Sequence, residues 1–536
     1  MPDPSPSAAA ALQQLQQDLP RLHEHLRARE LETVQAWVDQ LQPVLGEAPL
    51  LQRLELDLAL HAHDLPLQAH RAATLQKHAG EPGVGPLEPL LHWRFEALLG
   101  LADPASEGAA DAALAALPAS SDSDQRHRFL QGARLAWHRY KVPTAISLLQ
   151  ALEQLCPPEE IVSDRLEGLD LAERLCTMQG LIPQAQQLRQ QIRSLLLASP
   201  DPQQRLRAAQ EPWRMRQLEM RAQPAALATW LELRQQSPQE ACRAIAAAVP
   251  RHPESTAFAL GLLQELRRAG WIGIAAPIAT ASTEATQAAA SPIPQRLWLL
   301  RRHPQPSTDS ATGSAIEQLE QRWRLHHPGW QLHWLDHDPS LAATPDAAAD
   351  AETAAPDAAD PLPPLVAAAL SCLHDPAIRG DLLRLARLWQ YGGVAVDWNA
   401  RSQRSLTSLL GSASLLLVQD ADGALSLDLI AASARHPFLE AALGQICRNV
   451  LNAEGFNRWD ISTGSPLSIV FARWSQAAVA AGQLPAGVRI VSVHELRRWL
   501  GLGLHLPPPP AAAVDPPRQL FNHQRRRQAL AALTPS

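Results

Sequence analysis

A chain of 536 residues is too long for one ordinary hydrophobic core, so two or more domains are expected. Hydrophobic residues make up 46% and charged residues 19%, a globular balance rather than a disordered one. The 47 Lys and Arg against 54 Asp and Glu give a formal charge of −7, and the only basic run is Arg525-Arg526-Arg527, which argues against a nucleic-acid surface. Residues 1–11 read as a disordered start with neither a basic n-region nor an apolar h-region, and no run reaches the roughly 18 apolar residues of a membrane helix. A cytoplasmic protein is expected, with any membrane association peripheral, at the inner face. The five cysteines are Cys156, Cys176, Cys242, Cys372 and Cys447. They form no Cys-x-x-Cys pair and read as reduced thiols.

Residues 12–275 read as helix after helix. Leu, Ala and Gln dominate, and leucines recur at three- and four-residue spacing in LETVQAWVDQLQPVL, LQRLELDLALHAH and TAISLLQALEQLC. Proline-bearing turns precede Ala-rich helices at Pro66, Pro104, Pro143, Pro183 and Pro224, at intervals near the pitch of a two-helix repeat. Proline suits a first helical turn, where its missing N–H would have no partner. A tetratricopeptide-like, all-α helical-hairpin array is expected, with an irregular helical bundle as the rival. Such an array suits binding of a protein partner.

Residues 276–290 lose the leucines and read as a linker. From 291 to 536 short apolar runs alternate with helical segments: IPQRLWLL, WQLHWLD, VAVDW, SLLLVQD and LSLDLIAAS. That is α/β grammar, and the chain as a whole reads as multidomain. The Ala/Pro/Asp-rich stretch 339–364 cannot bury enough surface to fold alone and reads as a disordered insert. The PPPP run at 507–510 reads as an extended connector.

The chemistry concentrates in RGDLLRLARLWQYGGVAVDWNA, residues 379–400. Asp381 and Arg384 lie three apart on one helix face, near what reads as the helix start. Gly392 and Gly393 stop the helix. Val394-Ala395-Val396 reads as a buried strand, and alternation beyond it aims Asp397 and Asn399 the same way, with Trp398 opposite. Ligands in open α/β sheets bind beyond the carboxyl ends of strands. Two oxygen-bearing side chains there suit a hard divalent cation, which bridges readily to phosphates. Taken singly, the pieces are common: Asp-x-Asn often opens a turn, and Asp381–Arg384 alone would be an ordinary surface pair.

In this order the unit resembles the sugar transferases of glycosyltransferase family thirty-two, with an Asp-x-x-Arg helix, Tyr-Gly-Gly, a strand and Asp-x-Asp. The matching residues are Asp381, Arg384, Tyr391, Gly392, Gly393, Asp397 and Asn399. IPQRLWL, WRLHHPGWQLHWLDHD, LDLIAASARHPFLEAAL and STGSPLSI fall in the family's order too, so the resemblance covers roughly residues 291–475. It implies a GT-A (Rossmann-like) fold and a retaining hexosyltransferase that moves sugar from a UDP- or GDP-linked donor to a glycan, lipid or protein acceptor, as in polysaccharide biosynthesis. The implied cofactor is Mn2+, or Mg2+ in its place.

By the same resemblance, Asp381 and Arg384 hold the donor sugar and nearby phosphate, Asp397 contacts the ribose and the metal, and Asn399 takes the place of the direct metal ligand. Gly392 and Gly393 border the donor, Trp298 lies near its base, and His523 is a weak match to a late ligand. Three departures stand out. Asn399 replaces an acid, Gly380 replaces a serine, and Arg296-Leu297 stand where a histidine precedes the matched tryptophan. An uncharged carbonyl oxygen at Asn399 lowers the expected metal affinity. The alternative is therefore a catalytically weak or inactive transferase-fold scaffold whose helical half binds proteins.

Overall fold

A computed structural model of the chain describes residues 8–27, 31–62, 64–101, 107–139, 141–157, 163–208, 211–276, 278, 292–301, 319–336, 361–397, 400–455, 457–501 and 525–528. Most of the 339–364 insert, the linker 279–290, the PPPP run, Pro104, Trp398, Asn399 and His523 lie outside the described residues. The chain forms two compact units, Met1–Leu171 and Ala172–Ser536.

The first unit is helical: α1 (Ala8–Arg27), α2 (Leu31–Leu45), α3 (Pro49–Ala62), α4 (Leu65–Leu75), α5 (Leu87–Leu101), α6 (Glu107–Ala116), α7 (Asp122–His138) and α8 (Val142–Gln154). Each of α1 to α5 packs on the helix that follows it, as does α7 on α8. Leu15, Leu22 and Leu26 of α1 meet Val34, Leu51 and Leu54 in one apolar cluster, so the leucine spacing faces inward as expected. Asp64 caps α4 by accepting from the Leu67 N–H at 3.1 Å, and Ser121 and Asp124 form a capping box on α7. The proline signal also holds where the chain is described. Pro66 and Pro143 stand in the first turns of α4 and α8.

Helix α9 (Ser163–Met178) runs across the division between units. The second unit continues with α10 (Ile182–Ala198), α11 (Pro202–Ala208), α12 (Glu211–Arg221), α13 (Pro224–Leu233), α14 (Pro238–Ala248) and α15 (Thr256–Arg268). Pro183 and Pro224 again begin helices. Then come β1 (Arg296–Arg301), β2 (Gln331–Asp336), α16 (Pro364–Ser371), α17 (Pro376–Tyr391), β3 (Gly393–Val396), β4 (Arg401–Ser402) and α18 (Thr407–Leu410). The unit goes on with β5 (Leu415–Gln419), β6 (Leu425–Ala432), α19 (Pro437–Asn452), α20 (Arg458–Ile461), α21 (Gly464–Ala480), β7 (Val488–Ser492), α22 (Val493–Leu496) and β8 (Leu500–Gly501). The five apolar runs read from the sequence form β1, β2, β3, β5 and β6.

Six strands make a mixed sheet in the order β2-β1-β3-β6-β5-β7. Strand β6 is antiparallel to both β3 and β5, while the other pairings are parallel. One face of the sheet contributes Trp298, Ala395, Leu417 and Ile430 to a core shared with Leu382 of α17, Phe471 of α21 and Trp230, Phe258 and Leu263 of the preceding helices. The other face buries Leu297, Leu299, Val394, Val396 and Leu429 against Trp323 and Trp499. The last helices of the run that the sequence assigns to a single domain, α13 to α15, thus bury apolar faces against the α/β part.

Polar contacts reinforce that packing. Arg214 bridges Glu173 (3.1 Å) and Asp422 of the β5–β6 turn (2.6 Å), and Thr256 Oγ1 meets Ser465 Oγ at 2.7 Å. No helix among the described residues is long and apolar enough to cross a membrane.

Candidate functional site

Helix α17 begins three residues earlier than the sequence pattern suggests. Asp375 is its N-cap, accepting from the N–H groups of Ala377 and Ile378, and Pro376 occupies the first turn. Asp381 therefore lies in the second turn, facing the core, rather than at the dipolar end. Its side chain is fully buried, and Arg384 is 1% exposed.

Every oxygen of the Asp381 carboxylate is engaged. Oδ1 accepts from Arg384 Nη2 at 2.6 Å and from Arg458 Nη2 at 2.7 Å. Oδ2 accepts from Arg458 Nε and Ser462 Oγ, both at 2.7 Å. Burial works against the charge on Asp381, but Arg458 above all, then Arg384 and Ser462, hold its carboxyl below the usual range. A carboxylate offers about four lone-pair sites, so none remains here for a sugar hydroxyl. The four contacts tie Asp381 to Arg384 in its own helix and to Arg458 and Ser462 further along the chain.

Strand β3 leads out of this helix through Gly392 and Gly393, whose φ angles are +70° and +110°. A Cβ at Gly392 would sit 2.7 Å from the Ala434 nitrogen, and one at Gly393 only 2.5 Å from the Arg296 carbonyl oxygen. Both positions thus need glycine on two counts, conformation and space. The strand itself is buried throughout, as its sequence implies.

Register then brings two acids together. Val396 pairs with Leu429 and Ala395 with Ile430 in the β3–β6 ladder. The next residues are Asp397 and Asp428, and the Asp397 N–H donates to the Asp428 carbonyl at 3.3 Å. Opposed residues of an antiparallel pair share a face. Period-two alternation places these acids on the Ala395 side, the side covered by α17. Burial pushes the Asp428 carboxyl up and the Asp397 charge adds to the shift, while Ser426, Arg458 and Arg384 pull the other way. Arg458 stays firmly charged despite its partial burial, because Asp381, Asp397 and Asp428 all act on it.

Ala400, Ser402 and Leu406 are held by the helical stretch 319–326 and its end. Trp323 Nε1 donates to the Ala400 carbonyl (3.2 Å), Arg322 Nε to the Ser402 carbonyl (3.0 Å), and the Leu406 N–H to His327 Nε2 (2.9 Å). Accepting at Nε2 leaves His327 Nδ1 to face the Trp323 carbonyl at 3.2 Å. WRLHHP and the arginine before it thus hold Ala400, Ser402 and Leu406, on the chain that leads away from β3.

Trp298, expected beside a nucleotide base, is instead a core residue. It is 1% exposed, stacks on His333 with ring centroids 4.6 Å apart, and donates its indole N–H to the Gly392 carbonyl at 2.9 Å. It offers no open face to a base in this conformation.

The structure thus gathers Asp381, Arg384 and Asp397 and adds Arg458, Ser462 and Asp428. Sequence reasoning passed over these three. Ser462 begins the quoted STGS run, and Asp428 is the acid in an otherwise apolar strand, so both carried a weak signal. Arg458, 77 residues from Asp381, carried none.

Two carboxylates on one face are suitable oxygen donors for a divalent cation, and a cation would relieve their mutual repulsion. Among the described residues no group of three or more His, Cys, Asp or Glu has metal-holding geometry. Asn399 or substrate oxygens would have to complete such a set. No protein-family model matches the chain, and no curated protein is significantly similar to it.

Proposed function

We propose that the chain is a metal-dependent glycosyltransferase of GT-A type that transfers a hexose, with retention, from a nucleoside-diphosphate donor. The observation that carries this reading is the acid pair Asp397–Asp428 at the carboxyl end of β3, with Arg384 and Arg458 on the same face. Asp397, Asp428 and the carbonyl oxygen of Asn399 would hold Mn2+ or Mg2+. When bound, that cation would neutralise charge on the departing diphosphate. The chain's own contribution is fixed positive charge near the developing negative charge, commonly a large catalytic term. Trp323 and His327 also fix Ala400 and Leu406, downstream of the proposed ligands. The proline-punctuated helices support a tetratricopeptide-like array that binds an acceptor or a protein partner.

A second reading, a transferase-fold scaffold without activity, draws on three features: Asn399 in place of an acid, the fully engaged carboxylate of Asp381, and the covered ring of Trp298. Calorimetric titration of UDP and GDP, with and without Mn2+, separates the two readings. Metal-dependent binding that Asp397→Ala abolishes is the expected result, and the preferred base would narrow the donor. Absence of binding to either nucleotide at saturating metal would favour the scaffold.

A further inference from the structure

We infer that Arg458 is the residue that contacts the substrate's diphosphate, and that Asp381 acts as its buried positioning residue. This inference rests on the transferase reading for the identity of the ligand, but not for its chemistry, which is that of a phosphate oxyanion beside a divalent cation.

Three observations carry it. First, the two arginines of the site differ in access. Arg384 is 1% exposed and spends its guanidinium on Asp381 and the Leu427 carbonyl, whereas the Arg458 side chain is 37% exposed. Second, Arg458 is held side-on. Nε and Nη2 each donate to a different oxygen of a carboxylate that is itself fully buried and fixed by Arg384 and Ser462. That grip immobilises the guanidinium plane and leaves Nη1 without a hydrogen bond among the described residues. A planar fork fixed on one edge and open on the other suits a phosphate oxygen, and orientation settled before binding lowers its entropic cost. Third, the open edge belongs to a group on which both Asp397 and Asp428 act electrostatically. The neighbourhood holds three carboxylates to two guanidiniums, so a bare anion is disfavoured. Anion binding at Arg458 should therefore require a cation on the acid pair.

The test uses the full chain, with Mn2+ and either inorganic pyrophosphate, UDP or GDP as the titrant. The variants are Arg458→Ala and Arg458→Lys, each checked for a cooperative thermal transition. Arg458→Ala should weaken metal-dependent binding by roughly 10- to 100-fold, the range expected for hydrogen bonds to a charged group. Arg458→Lys should retain part of the affinity. Ethylguanidinium added to Arg458→Ala should restore binding, a rescue that a merely structural role would not show.

Wild-type affinity in Arg458→Ala, or a loss that ethylguanidinium cannot restore, would overturn the inference while leaving the transferase reading intact. If the wild type bound Mn2+–pyrophosphate through Arg458 but neither nucleotide, the inference would stand and the transferase reading would fall. Failure to bind pyrophosphate and both nucleotides in the presence of Mn2+ would overturn both.

Discussion

Replacing Asp381 by Ala should cost far more stability than a surface ion pair could explain. The carboxylate is fully buried and accepts four charge-assisted hydrogen bonds of 2.6–2.7 Å. Without it, Arg458 can turn toward water, since its side chain is already 37% exposed. Arg384 cannot, because it is 1% exposed, its other contact is the Leu427 carbonyl at 3.3 Å, and its Nε has no partner among the described residues. An unpaired buried charge of this kind typically costs about 3–5 kcal/mol. Asp381→Ala should therefore lower the urea midpoint of the unit that contains residues 172–536. Two compact units can melt separately, so the unfolding curve should be fitted for two transitions. Adding Arg384→Met removes the stranded charge and should recover most of the loss, because an apolar replacement of a buried pair is often nearly neutral. The reasoning is refuted if Asp381→Ala stays within about 1 kcal/mol of wild type, the ceiling for most exposed pairs. It is equally refuted if the double variant is no better than the single one.

Two further outcomes follow from the same fold. Gly393→Ala should destabilise the second unit, because φ is +110° and the new Cβ would lie 2.5 Å from the Arg296 carbonyl oxygen on β1; the backbone strain alone is about 1–3 kcal/mol, and an unchanged melting temperature would contradict it. Burial pushes both His327 and His436 down to about 4 from an ordinary value near 6.5. The unfolded chain thus takes up protons that the native state refuses. Stability should be full above pH 6.5 and fall as the pH drops toward 4, by at most about 3 kcal/mol per histidine. His436→Asn, which retains a capping side chain before α19, should flatten the urea-midpoint profile between pH 7 and 5. A slope unchanged in that variant would assign the loss to other groups.

What could be read from the sequence was whatever a dozen neighbouring residues decide. Val394-Ala395-Val396 is a buried strand, Gly392-Gly393 stops a helix, and Pro66, Pro143, Pro183 and Pro224 begin helices, all by local sterics and periodicity. The Asp375-Pro376 start of α17 is just as local. With that start, Asp381 lies in the buried second turn rather than at the helix end.

Pairings set by register and tertiary packing left no comparable trace. Asp428 meets Asp397 only because β6 runs antiparallel beside β3, and nothing in LSLDLIAAS declares that direction. Arg458 meets Asp381 only because α20 folds back onto α17. The chemical consequence is specific. The resemblance implies that Asp381 holds the donor sugar, and the sequence shows only Arg384 as a partner for its carboxylate. Three-dimensional packing supplies two more partners, Arg458 and Ser462. With its lone pairs engaged, Asp381 acts on the site through the groups it holds in place. The exposure of Arg458 and the closure of Arg384 make that group the later arginine.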